Sequence, residues 1–121
     1  MIQLTEISFD AARPIDGYGP GYFRIGEQVI TGAVIVTAAG ARSWGGLDDG
    51  SALMALAGEV DVILLGMGRQ IAHPPKDLRL ALEQAGIGVE PMDSPAAART
   101  YNVLLAEGRR VAAALLPGFP P

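Results

Sequence analysis

The second half of this chain follows one pattern twice: an apolar run, a helix opened by proline and closed by glycine, then another apolar run. Asp61-Val62-Ile63-Leu64-Leu65 carries no charge after its first residue and has the length of a strand buried on both faces. Pro74-Pro75 suits the first turn of a helix, expected to run to about Ala85. Leu78, Ala81, Leu82 and Ala85 recur on one face of it, with Lys76, Arg79 and Glu83 turned away. Gly86 can adopt the left-handed conformation that ends such a helix, and Ile87-Gly88-Val89-Glu90 reads as a short strand. Ser94 is placed to cap a second helix, with Pro95 in its first turn. That helix buries Ala97, Tyr101, Leu104 and Leu105 and stops at Gly108. Residues 110–116 then supply a last apolar strand. Helical crossovers require the three strands to run parallel, with right-handed connections.

The first half has a different rhythm. Residues 15–21 are rich in glycine and read as turns, and Tyr22-Phe23-Arg24-Ile25 and Gln28-Val29-Ile30-Thr31 form a hairpin about Gly26-Glu27. Residues 33–37 are a buried β-branched strand, with Gly32 marking a bulge or bend in one longer strand. Residues 38–50 read as a loop holding Trp44, and a short helix over residues 51–58 starts at Gly50 or Ser51. The fold class is therefore α/β (α+β): a mixed sheet with a β-rich N-terminal third followed by β-α-β-α-β, helices covering at least one face. The 121 residues suit one domain, 1–121.

Composition narrows the chemistry. The net charge of −4 and the scattered basic residues exclude a general nucleic-acid surface. Without cysteine there is no disulfide, thiolate nucleophile or thiolate metal site. No stretch approaches the roughly 18 apolar residues of a transmembrane helix, and the N-terminus lacks a signal-peptide pattern. A cytoplasmic protein is expected.

In a parallel sheet, ligands gather at the carboxyl ends of the strands. Two segments meet there: Gly66-Met67-Gly68 after the central strand, and Met92-Asp93-Ser94 at the start of the helix bearing Arg99 and Asn102. A helix N-terminus favours an anion, and Arg99 adds a two-pronged donor to a pocket of Gly66, Met67, Gly68, Asp93, Ser94, Arg99 and Asn102. The competing reading has Arg99 bracing the loop through Asp93 or a backbone carbonyl, Asn102 locking two segments together, and the glycines allowing close backbone approach. The glycine turn is no dinucleotide fingerprint, since the third glycine and immediate helix are missing. His73 has neither a nucleophile nor companion ligands, Asp48-Asp49 lacks calcium-loop spacing, and Ser43 and Ser51 lack a nucleophile elbow. No catalytic residue, metal site or cofactor is assigned. Trp44 and Tyr18 are expected at the edge of an exposed apolar patch that contacts other proteins, unless Trp44 folds back on the core.

Several blocks together resemble the Mth938-like domain family. They are Ile15-Asp16-Gly17-Tyr18-Gly19, Phe23-Arg24-Ile25, Trp44, Leu64-Leu65-Gly66-Met67-Gly68, Gly86-Ile87-Gly88-Val89-Glu90, and the run from Ala98-Arg99-Thr100-Tyr101-Asn102 through Ala113-Ala114-Leu115. The resemblance spans about residues 13–117 and departs at Met67, where relatives often carry a small polar residue. It implies a three-layer fold with a central mixed sheet, and no transferable catalysis. Eukaryotic relatives include a mitochondrial assembly factor for respiratory complex I. The resemblance thus implies protein partners, complex I subunits among them, and a non-enzymatic role in binding or assembly. Self-association is a further expectation for so apolar a short chain. The rival is a binder of small anions, or an enzyme, at the strand-end pocket.

Overall fold

The computed structural model describes residues 13–118. Three short strands come first: β1 (Ile15–Gly19), β2 (Tyr22–Ile25) and β3 (Gln28–Thr31), paired antiparallel in that order. β4 (Val34–Thr37) and β5 (Gly40–Ser43) form a hairpin, followed by α1 (Gly50–Met54) and β6 (Val62–Gly66). The remainder alternates: α2 (Lys76–Gln84), β7 (Gly88–Met92), α3 (Ser94–Ala106) and β8 (Val111–Leu115). β4 to β8 build a five-stranded mixed sheet in the order β5-β4-β8-β6-β7. Its last three members are parallel, as the helical crossovers require.

Alternation along the central strands divides the interior in two. Val34 and Val36 of β4, Leu64 of β6, and Val111, Ala113 and Leu115 of β8 face one way, toward the small sheet and α3. Ile35, Ile63, Leu65, Ala112 and Ala114 face the other, toward Leu53 of α1, Leu82 of α2 and Trp44. The larger sheet is thus the middle of three layers, which is why its inner strands β4, β6 and β8 are almost wholly apolar. In β8 the three alanines leave room on both faces for the elements that close over them. Both helices end in the expected way, with Gly86 at φ +89° and Gly108 at φ +78° just beyond them.

The structure corrects the sequence reading at several places. Residues 15–19 are a strand rather than turns, and residues 40–43 are a strand rather than loop. Gly32, at φ +87°, carries the chain from the small sheet to the large one instead of bending a single strand. α1 is shorter than expected and starts after Asp49. The cap of α3 is Asp93, whose carboxylate accepts from the Ala96 N–H at 2.7 Å, which frees Ser94 for a different task. The lead-in before Arg13 and the last three residues lie outside the described residues.

Candidate functional site

β6, β7 and β8 end together. Gly66 lies opposite Met92 on one side and Leu115 on the other. The backbone leaving β6 turns across the start of α3, and the contact there is close because Gly66 has no side chain. A Cβ on Gly66 would stand 2.7 Å from Ser94 Oγ, 2.8 Å from Leu115 Cδ2 and 2.9 Å from Ser94 Cα.

The serine completes the joint. Its backbone N–H donates to Gly68 O at 2.7 Å, and its hydroxyl accepts from the Gly68 N–H at 2.9 Å. The same hydroxyl donates to Leu116 O at 2.7 Å. The Met67 N–H donates to Met92 O at 2.8 Å, and the Leu116 N–H to Gly66 O at 2.9 Å. Ser94 is fully buried. Hydroxyl, turn and strand exit therefore satisfy one another.

Of the residues expected to converge, Gly66, Met67, Gly68, Asp93 and Ser94 meet at this edge. Asn102 does not join them. It lies eight residues beyond Ser94, about 12 Å along the helix. There it donates through Nδ2 to Ile15 O at 2.9 Å and accepts at Oδ1 from the Ile15 N–H at 2.8 Å. Its amide thus pairs with β1 as a neighbouring strand would. Arg99 is exposed and makes no ion pair among the described residues. α3 buries Ser94, Ala97, Ala98 and Tyr101, and Arg99 projects off that stripe. Asp93 caps the helix and no ion pair joins it to Arg99 among the described residues, so the Arg99–Asp93 brace of the competing reading is absent as well. The hollow that remains at this edge is open and is lined by residues 67–72 with Pro117 and Gly118.

Trp44 is only 6% exposed, so it cannot rim an exposed patch. Its N–H donates to Ala33 O, its indole N–H donates to Asp49 O at 3.1 Å, and its ring packs among Leu53, Leu56 and Ile35. Tyr18 on β1 is exposed. His73 is exposed in the loop before α2, and no cluster of three candidate metal ligands occurs among the described residues.

Sequence reasoning missed a hollow at the opposite end of the sheet. Ile35, Ala55 and Leu56 line it, with Arg42 and Glu59, and its volume is about 250 Å³. Nothing in residues 38–50 taken as a loop signals it, because β5 becomes a strand only through pairing with β4.

Tyr101 is wholly buried in the layer between α3 and the sheet, and its hydroxyl has no hydrogen-bond partner among the described residues. Burial pushes its pKa up from 10.0 to about 12. Removing an unpaired buried hydroxyl relieves a desolvation cost, so Tyr101→Phe is expected to stabilise the fold by about 1 kcal/mol. Below pH 10 the phenol is neutral in both folded and unfolded chains. Between pH 10 and 12 only the unfolded chain ionises, so stability falls as pH rises, by roughly 2 to 3 kcal/mol at the top of that window. The phenylalanine variant lacks this slope. Urea unfolding at neutral and alkaline pH checks both points, and destabilisation by the substitution would show that the hydroxyl is satisfied.

Comparison with known proteins places the chain. The model of a family described as "Protein of unknown function (DUF498/DUF598)" matches residues 15–116, and the chain belongs to that family. It is 57% identical to an uncharacterised protein of Rhodobacter capsulatus over 93% of this chain and 90% of that one. It is 30% identical to NADH dehydrogenase [ubiquinone] 1 alpha subcomplex assembly factor 3 of mouse, over 99% of this chain and 68% of the other. A Mth938-like domain protein of Bordetella pertussis shares the fold at TM-score 0.75 and 32% identity, over 90% of this chain and 89% of that one. A protein of Bartonella henselae described as an outer membrane protein matches at TM-score 0.79 and 35% identity, over 89% and 97%. No helix among the described residues is long and apolar enough to cross a membrane.

Proposed function

We propose that this member of the family is a binding protein that acts in the cytoplasm during assembly of respiratory complex I, with no chemical step of its own. The carrying observation is the distant homology to assembly factor 3, which extends over nearly the whole chain. The geometry supports it from the other side. The strand-end edge, where a fold of this kind would hold a small ligand, has its serine hydroxyl, turn amides and strand-exit carbonyl bonded to one another. Asn102 is committed to β1.

Deleting the gene is expected to lower NADH:ubiquinone activity of membranes and to leave complex I subassemblies on native gels. Tagged protein drawn from native membranes is expected to retain complex I subunits. Normal complex I in the deletion strain, with no subunits retained, would reject the reading.

A further inference from the structure

We propose that the outer edge of β5 is a docking strand for an extended acidic segment of a partner protein, held by backbone pairing and by Arg42. The inference rests on the reading that the protein works by binding other proteins.

A sheet edge attracts pairing unless something blocks it. The five-stranded sheet ends in β7 and β5. The Gly88 N–H donates to Asp61 O and Met92 O accepts from Met67, so alternation turns Val89 and Pro91 of β7 outward. Pro91 has no N–H to offer, and the Arg79 guanidinium already donates to Val89 O at 3.3 Å. β1, an edge of the small sheet, is occupied at Ile15 by Asn102. β3, its other edge, turns Val29 and Thr31 outward, and neither they nor the rest of β3 lines the hollow beside β5.

β5 is different. The Trp44 N–H donates to Ala33 O, so Arg42 is bonded toward β4 while the N–H and C=O groups of Ala41 and Ser43 point away. Among the described residues no strand is paired to β5 on that side, although β3 passes near it. Over the face that β4 and β5 share at this edge lies the hollow of about 250 Å³, with apolar lining from Ile35, Ala55 and Leu56 and with Arg42 and Glu59 as its charges. Arg42 is exposed and has no ion pair among the described residues.

These features choose the occupant. A second copy of β5, in the antiparallel register that uses all four outward groups, would set Arg42 against its own counterpart, and like charges directly opposite are destabilising. An extended segment with a carboxylate opposite Arg42 uses the same four groups and closes the charge. The position two residues along, opposite Gly40, faces the hollow. Gly40 carries no side chain and a Cβ built on it meets nothing within 4 Å, so the surface beside that position is open, and Glu59 in the hollow disfavours a second acid.

A random peptide library displayed on phage is the probe. The protein is expected to select peptides with an acidic residue two positions from an apolar one, and their binding is expected to slow amide exchange at Ala41 and Ser43. Ser43→Pro removes one outward donor without touching the bonds to β4 and should weaken these peptides about tenfold or more. Arg42→Glu, at an exposed position, should turn selection toward basic peptides. Failure to select such peptides, binding unchanged in both variants, or protection confined to Val29 and Thr31 would overturn the proposal. Complex I subunits retained equally by wild type and Ser43→Pro would reject the docking strand and leave the assembly role standing. Peptide binding with no subunit retention would do the reverse.

Discussion

Gly66→Ala is expected to lower stability by about 3 kcal/mol, at the upper end for overpacking a filled site. The backbone of Gly66 needs no left-handed conformation, so the cost is one of space alone. The added methyl would meet Ser94 Cα at 2.9 Å, and that atom is backbone, fixed by the Asp93 cap and by bonds to Gly68. Either α3 moves off the sheet or β6 bends, and both disturb the fully buried Leu64, Leu65 and Leu115. Gly88 on the neighbouring strand is the control. Its nearest contact to an added Cβ is 3.6 Å, an ordinary separation, so Gly88→Ala should fall within about 0.5 kcal/mol of wild type. Urea unfolding of the two variants separates a packing cost from a general intolerance of alanine in these strands.

The second large effect is at Ser94. Ser94→Ala removes one hydroxyl but leaves the buried Gly68 N–H and the part-buried Leu116 C=O without the partner they share. An orphaned buried polar group costs about 1–3 kcal/mol and a part-buried one less, so the pair should cost roughly 2–3 kcal/mol before relaxation. A surface cap would cost about 1 kcal/mol. The size of the loss therefore tells a brace between three segments from a simple helix cap. Equilibrium denaturation of Ser94→Ala against Asp93→Ala makes that comparison within one helix turn.

The β-α-β-α-β half was legible because its signals are local. Proline openings, glycine closings and apolar periodicity act within a turn or two of the residues that carry them, and the observed α2, α3, β6, β7 and β8 follow them closely. β1 and β5 were not legible for the same reason. Ile15-Asp16-Gly17-Tyr18-Gly19 and Gly40-Ala41-Arg42-Ser43 have little intrinsic strand preference and become strands only through neighbours: β2 and Asn102 for the first, β4 for the second. The candidate site divides the same way. That the glycine turn and the start of α3 share an edge follows from parallel connectivity. That Ser94 is spent on Gly68 and Leu116, and Asn102 on a residue 87 positions away, depends on tertiary partners that no local pattern encodes. Trp44 misleads because its glycine-rich surroundings suggest an exposed loop, whereas bonds to Ala33 and Asp49 fold it inward.

At the strand-end edge the Ser94 hydroxyl, the turn amides and the Leu116 carbonyl are bonded to one another in a joint beside the open hollow. The amide proton of Gly68 reports on it directly. Buried against the Ser94 hydroxyl, it should exchange only with near-global unfolding in wild type, and its shift should stay fixed as inorganic phosphate is added. Exchange at the rate of an open loop would show that the joint opens, and a saturable phosphate-dependent shift at Gly68 and Ser94 would show an accessible anion site; either contradicts a closed joint.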